Sequence, residues 1–303
     1  MKRKILLWLQ FVFLTLFGLS LVITILQLFG SSNPLTRYDE PKSSYSRKEA
    51  FNPSLLRLNS MKKIELYCDS IYAEQALADS IENFESAYTD IVSTAVKDRF
   101  YHGYSYYGMN DNYMAVLISR ATMPGLGALV IPDDILKHPS AACSQQSIVM
   151  MEILKRKGFK TRKVGFSGKR YGGHFAFEVF YEGSWHFNDP NLEPDKTVLD
   201  AYGQPDIAFL THHPDVLLKA YRNWPKEEIM DIFSNFHYGA VNTFPAPRAI
   251  IFQRATAFLS YTIWLFFLIG FAIVRYKYVR TTRKARVYEI APMRQIQPIP
   301  TAI

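Results

Sequence analysis

The stretch Gly172–Asn191, GGHFAFEVFYEGSWHFNDPN, decides how much of the chain folds. Aromatic and aliphatic residues crowd both sides of Glu182-Gly183, a pair suited to a two-residue hairpin loop. Such a loop pairs Tyr181 with Ser184, and counting back along both strands sets Asp189 opposite Ala176. Opposed residues share a face of the sheet, and Ala176 shares its face with His174 two positions earlier. Asp189 is then a diagonal neighbour of His174, within side-chain reach, whereas a three-residue loop would turn it to the other face. Glu178 lies on the His174 face as well. A buried hairpin gains nothing from three titratable groups on one side unless they are satisfied or used.

Upstream, Ala141–Lys157 (AACSQQSIVMMEILKRK) has the marks of a core helix. Ser140 can cap it, Ile148, Val149, Met151 and Leu154 give it an apolar stripe, basic residues fill its last turn and Gly158 ends it. Cys143 falls in the first turn, where unpaired backbone N–H groups and the macrodipole stabilise negative charge and an oxyanion would find donors. A thiol nucleophile needs a base. Among seven histidines, His174 stands at the head of a strand, after two glycines that let another backbone approach. His102, His138, His186, His212, His213 and His237 have no comparable setting. Cys68 lies on the apolar stripe of a helical segment and reads as a small core residue. The two cysteines permit one disulfide, but their settings differ sharply and their spacing matches no zinc ribbon or finger.

Cys at a helix start, His at the head of a strand and Asp at the end of the next strand is the order of the transglutaminase-like superfamily, a branch of the papain-like cysteine enzymes. The chain resembles that family over roughly residues 100–195. The matching features are a Cys-helix-Gly-x-x-x-Arg-x-Val pattern in AACSQQSIVMMEILKRKGFKTRKV, and His-x-x-x-Glu, Gly-x-Trp and Asp-Pro in the hairpin. The resemblance implies an α+β fold with a transglutaminase-like/papain-like core, in which a helix carrying Cys packs on an antiparallel sheet. It implies Cys143 as nucleophile, His174 as general acid and base, and Asp189 as the acceptor that fixes the imidazole tautomer. The reaction class is acyl transfer through a thioester, by a cysteine peptidase, an amidase or a cross-linking acyltransferase, with no cofactor or metal.

Lys137 stands where papain-type enzymes place a Gln six residues before the nucleophile. The Cys143 N–H is therefore the one oxyanion donor assigned, because Gln145 and Gln146 lie on the helix beyond the thiol. A metal site built from Cys143, His174 and Asp189 would lack a fourth ligand in any supporting position. Glu178 either buttresses the site or is a hydrogen-bonded structural acid, and Trp185 belongs to the hairpin core. The alternative to an enzyme is a noncatalytic module that keeps the fold to bind a peptide or glycan in a cell-envelope or polysaccharide-assembly complex.

Two further segments are apolar beyond any soluble core element. Residues 5–30 and 255–274 carry no charge, and each reaches the roughly 20 residues that cross a bilayer. The first run is well beyond the roughly 7 to 15 residues of a signal h-region, and SSNPLT after it offers no A-x-A site, so it reads as an uncleaved anchor. Lys2, Arg3 and Lys4 precede it, and six Lys and Arg between 275 and 286 follow the second span. The positive-inside rule then sets both termini in the cytoplasm and the intervening domain, periplasmic or at the cell surface, outside it. Between residues 31 and 254 there are 25 Lys and Arg against 26 Asp and Glu. The net charge of +8 is thus an orientation signal and not the footprint of a nucleic-acid binder.

The organisation expected is a cytoplasmic N-terminus over 1–4, a transmembrane helix over 5–30, a linker over 31–60 and a helical segment over 61–100. A transglutaminase-like core over 101–200 follows, with a short helix at NYMAVLISRA and a strand near 162–166. A helical membrane-proximal segment over 201–254, a second transmembrane helix over 255–274 and a basic cytoplasmic tail over 275–303 complete it. The expected partners are the lipid bilayer and a peptide, protein or envelope-polymer substrate. Nucleotide and flavin signatures are absent from the sequence.

Overall fold

A computed structural model of the chain describes residues 2–29, 51–78 and 83–290. Most of the expected linker and the end of the basic tail lie outside these residues. The elements run α1 (Lys2–Phe29), α2 (Met61–Ala78), α3 (Phe84–Arg99), β1 (Tyr101–His102), α4 (Met109–Ala121), α5 (Pro132–Ile135), β2 (Ser140–Ala141) and α6 (Cys143–Arg156). They continue as β3 (Lys160–Ser167), β4 (Gly173–Tyr181), β5 (Ser184–Asn188), α7 (Lys196–Asp200), α8 (Ile207–His212), α9 (Pro214–Ala220), α10 (Lys226–Ile232), β6 (Phe236–Tyr238) and α11 (Pro247–Ile290). Helix and sheet are mixed in the α+β manner. Among the described residues, one compact unit holds 2–29, 108–117 and 254–290, and a second holds 51–107 and 118–253.

The second unit is built on an antiparallel sheet of order β5-β4-β3-β6. β4 is buried on both faces, which is why its sequence is apolar almost throughout. Phe177, Val179 and Tyr181 face α6, where they meet Ile148, Val149, Met151 and Leu154, with α2 and α3 supplying more of that core. Ala176, with Val164 and Phe166 from β3 and Phe187 from β5, faces the opposite layer of Leu199, Ile207, Leu217, Tyr221, Ile229 and Phe233. Each Leu, Ile or Phe taken out of water in these layers contributes roughly 1.5–3 kcal/mol before chain entropy is subtracted. The hairpin loop is the two-residue kind: Glu182 and Gly183 have φ of 49° and 78°, and Tyr181 pairs with Ser184.

Several boundaries differ from those read in the sequence. The helix carrying the thiol begins at Cys143 itself, because Ser140 and Ala141 are extended and pair in parallel with Tyr101 and His102. Ser140 therefore does not cap α6; Ala142 occupies the cap position, and the Gln145 side chain accepts its N–H at 3.1 Å. At the other end Gly158, at φ 88°, closes a Schellman turn in which the Phe159 N–H reaches the Leu154 carbonyl and the Gly158 N–H that of Lys155. The segment 61–100, whose spacing allows one long helix or two in succession, forms two. The last part of the expected linker is core, since Pro53–Arg57 makes a 3₁₀ turn that buries Leu55 and Leu58. Within 201–254, β6 adds an edge strand to β3 that the sequence pattern did not mark.

In the first unit, α1 and α11 carry segments long and apolar enough to cross a membrane, one near each end of the chain. They lie antiparallel: Arg3 meets Tyr278, Gln10 meets Arg275, and Thr24 donates to the Ser260 carbonyl. Between these contacts Gly270 lies against the Phe13 ring, where any β-carbon would stand 2.5 Å from it. Residues 108–117, expected within the 101–200 core, group with these helices. Asn112, at φ −153° and ψ 77°, interrupts α4 there, and its amide donates to Thr256 Oγ1 and accepts from Ser260 Oγ and the Ala115 N–H. Gln27 of α1 donates to the Asp111 carbonyl at 2.7 Å.

Candidate active site

Cys143 takes the first helical position of α6, whose N–H has no acceptor within the helix. One turn on, Ser147 Oγ donates to the Phe175 carbonyl, fixing the start of α6 against the start of β4. His174 is the second residue of β4, opposite Phe166 on β3, and the two rings stack with centroids 5.6 Å apart. The strand pairs end at Phe177 with Asn188, so one more step of the same register sets Asp189 beside Ala176, diagonal to His174. The three residues are thereby brought to one end of the sheet.

His174 Nε2 and Asp189 Oδ2 stand 2.8 Å apart, with both side chains buried. A carboxylate accepts only, so Nε2 donates, and Nδ1 is the ring nitrogen left for the Cys143 thiol that neighbours it. Asp189 is fully engaged. Its Oδ2 also accepts from the Tyr221 hydroxyl at 2.9 Å, and its Oδ1 accepts from the N–H groups of Asn191 and Leu192. The carboxylate has no lone pair directed at open space. Tyr221 was missed in the sequence, lying 32 residues beyond Asp189 in a helical stretch whose pattern signals only a core aromatic.

Burial opposes protonation of His174, but the Asp189 charge, its hydrogen bond and Cys143 outweigh it and push the imidazole up to about 10. Burial would raise Asp189 too, yet the His174 charge and the donors around the carboxylate hold it below its ordinary value. A raised imidazole stabilises the fold fully below its unfolded pKa of about 6.5 and loses that contribution as pH climbs toward its folded value. A lowered carboxyl contributes above its unfolded pKa of about 3.9. The difference in melting temperature between the wild type and His174→Asn is therefore expected to be widest between about pH 4 and 6.5 and to shrink toward pH 10. Thermal unfolding across that range checks this, and a difference that widens above pH 7 would contradict the ion-pair assignment.

The two glutamines after the thiol are turned into the protein. Gln145 accepts from the Ser105 and Ala142 N–H groups and donates to the Ser105 and Leu129 carbonyls, so both ends of its amide are used. Gln146 donates to the Ala141 carbonyl from a fully buried position. Neither supplies a second oxyanion donor. His102 of β1, opposite Ala141, lies 3.9 Å from Glu193, four residues beyond Asp189, and so links the approach to Cys143 with the segment after Asp189. A cavity of about 160 Å³ opens beside Asp189, lined among others by Asp90, Lys97, Asn188, Glu193 and Lys196.

A search of solved structures returned a match titled "Crystal structure of a TGase", with 16% identity and a TM-score of 0.24. The match covers 50% of this chain and 34% of that one, so the chain spans about a third of the length of the structure it matches. No protein-family model and no curated protein matches the chain.

Glu178 has a structural setting. It is fully buried, its Oε2 receives Arg162 Nε at 2.7 Å and Nη2 at 2.6 Å, and its Oε1 accepts the Ile207 N–H at the start of α8. The Arg162 guanidinium is sandwiched between the rings of Trp185 and Tyr238, 4.1 and 3.8 Å from their centroids. Cys68 is buried in the core cluster beside Ile64, and burial pushes its thiol up to about 12, which suits a core residue.

Proposed function

We propose that the chain is a membrane-anchored, extracytoplasmic cysteine enzyme with a transglutaminase-like core, acting by acyl transfer or amide hydrolysis on a peptide, a protein or an envelope polymer. The observation that carries this reading is His174 held at 2.8 Å by a fully engaged carboxylate on one side, with the thiol of a helix N-terminal cysteine on the other. A module that only bound its ligand would have no need for a desolvated imidazole poised on a thiol.

In the proposed cycle the imidazole, held protonated at neutral pH, carries on Nδ1 the proton given up by Cys143, and the thiolate attacks the substrate carbonyl carbon. The oxyanion that forms lies at the Cys143 N–H and the positive end of α6. The imidazolium then protonates the departing amine as the C–N bond breaks, leaving a thioester. Water or a second amine, deprotonated by His174, attacks that thioester and releases Cys143. Asp189 stays ionised throughout and keeps Nε2 as the donor. The antiparallel packing of α1 and α11 supports both termini on one side of the membrane, and the flanking cations make that side the cytoplasm.

The test is alkylation of the full-length protein with iodoacetamide, with Cys143 modification followed by mass spectrometry. Cys143 should react at least about tenfold faster in the wild type than in His174→Ala, as expected for a base-activated thiol. Incubation with envelope extracts should leave a thioester adduct on Cys143 whose mass names the acyl donor. Equal alkylation rates in the two proteins, with no adduct, would favour the noncatalytic binding module instead.

A further inference from the structure

We propose that the charged ends of α1 and α11 form a binding site for an anionic glycerophospholipid. This rests on the membrane-anchored reading of the two helices and is independent of the chemistry at Cys143. On α11, Lys277, Arg280, Thr281 and Lys284 recur at the spacing of one helix stripe, and on α1 so do Lys2, Ile5 and Leu6. The two stripes line one open recess of about 480 Å³. Four of the seven lining residues are cations, and neither residues 2–29 nor 254–284 contain a single Asp or Glu. Nearby Arg3 and Arg275 are drawn elsewhere, to the Tyr278 hydroxyl and to Gln10 Oε1.

Four like charges facing one recess without a carboxylate repel one another, and the arrangement becomes favourable when an anion enters. The floor says which anion. Ile5 and Leu6 open the apolar run of α1, so a ligand seated here meets cations at one end and hydrocarbon at the other. A lipid phosphate at headgroup depth, with its first methylenes along Ile5 and Leu6, satisfies both, whereas a small soluble anion would leave the apolar floor wet.

The experiment is titration of phosphatidylglycerol into the full-length protein in a neutral detergent, with bound lipid per chain read by native mass spectrometry. Phosphatidylcholine and soluble glycerol phosphate are run in parallel. Phosphatidylglycerol should bind saturably, phosphatidylcholine at least about tenfold more weakly, and the combined Lys277→Gln, Arg280→Gln and Lys284→Gln variant should lose at least about tenfold in phosphatidylglycerol affinity. Combined Lys4→Gln and Arg283→Gln, which remove charge from the same end outside the recess, should change it by less than about twofold. Three outcomes overturn the proposal: equal binding of phosphatidylcholine, glycerol phosphate binding as tightly as the lipid, or an equal loss in the Lys4 and Arg283 variant. Alkaline washing of the native membranes separates the two levels of the argument. Protein that washes off overturns the anchored reading itself, while protein that stays as the lipid titration fails overturns the recess alone.

Discussion

Glu178→Ala is expected to lower the stability of the sheet-bearing unit by about 3–5 kcal/mol, because it leaves the Arg162 guanidinium in a desolvated slot without its counter-charge. For a unit of this size that corresponds to a fall in melting temperature on the order of 10 °C. The loss has two parts: the paired bonds to Arg162, and the acceptor for the Ile207 N–H that begins α8. Glu178→Gln keeps an acceptor for Ile207 and removes the charge, so it should fall between the wild type and Glu178→Ala. Replacing both partners, Arg162→Met with Glu178→Leu, should recover most of the loss, since a buried pair replaced by apolar groups of similar volume is often close to neutral. Thermal unfolding of the four proteins measures the series. Iodoacetamide reactivity of Cys143 should remain that of the wild type in the folded fraction. If Glu178 instead buttressed His174, alkylation would slow while the melting temperature held.

What was legible in the sequence is mostly what short-range geometry dictates. Two residues, Glu182 and Gly183, take positive φ, and that local fact propagates through a period of two to set Asp189 diagonal to His174. Gly158 likewise ends α6 through its own backbone. The start of α6 was less legible because Ser140 is a good cap by type, yet pairing of Ser140 and Ala141 with β1, some forty residues earlier, holds it extended and hands the first helical position to Cys143. β6 is three residues long, too short for any periodicity to register, and exists because β3 offers it an edge. Tyr221 carries no local mark at all, and Arg162, though part of the Gly-x-x-x-Arg-x-Val pattern, gives no sign of its partner: each is defined by a group brought near only when the hairpin and the helices after it close on each other. Asn112 is a further case, a polar residue in an amphipathic run whose amide is used by α11.

Arg99→Met should damage both stability and the thiol's reactivity, which sets it apart from Glu178→Ala. Arg99 is fully buried, with no carboxylate bonded to it among the described residues; its guanidinium donates to the carbonyls of Leu58, Leu136 and His138, and burial pulls it down to about 10, so it stays charged at neutral pH. Met fills much of the same volume and leaves three carbonyls without their donor, at about 1–3 kcal/mol for each that water cannot reach. A loss of at least about 3 kcal/mol is therefore expected in denaturant unfolding. Arg99→Lys should recover only part of it, because an ammonium is a point charge on a flexible stem and cannot hold the fork of a guanidinium on three carbonyls. The carbonyls of Leu136 and His138 lie just before Ser140, and the neighbouring Pro139 carbonyl accepts from the Tyr101 N–H. Releasing this turn loosens the pairing of β2 with β1 that delivers Cys143 to the first position of α6, and with it the alignment of the thiol on His174. Alkylation of Cys143 in the folded fraction of Arg99→Met should consequently slow by several-fold. Retained reactivity in a destabilised Arg99→Met would mean that β2 holds its register on its backbone bonds alone, with Arg99 anchoring the core and not the approach to the thiol.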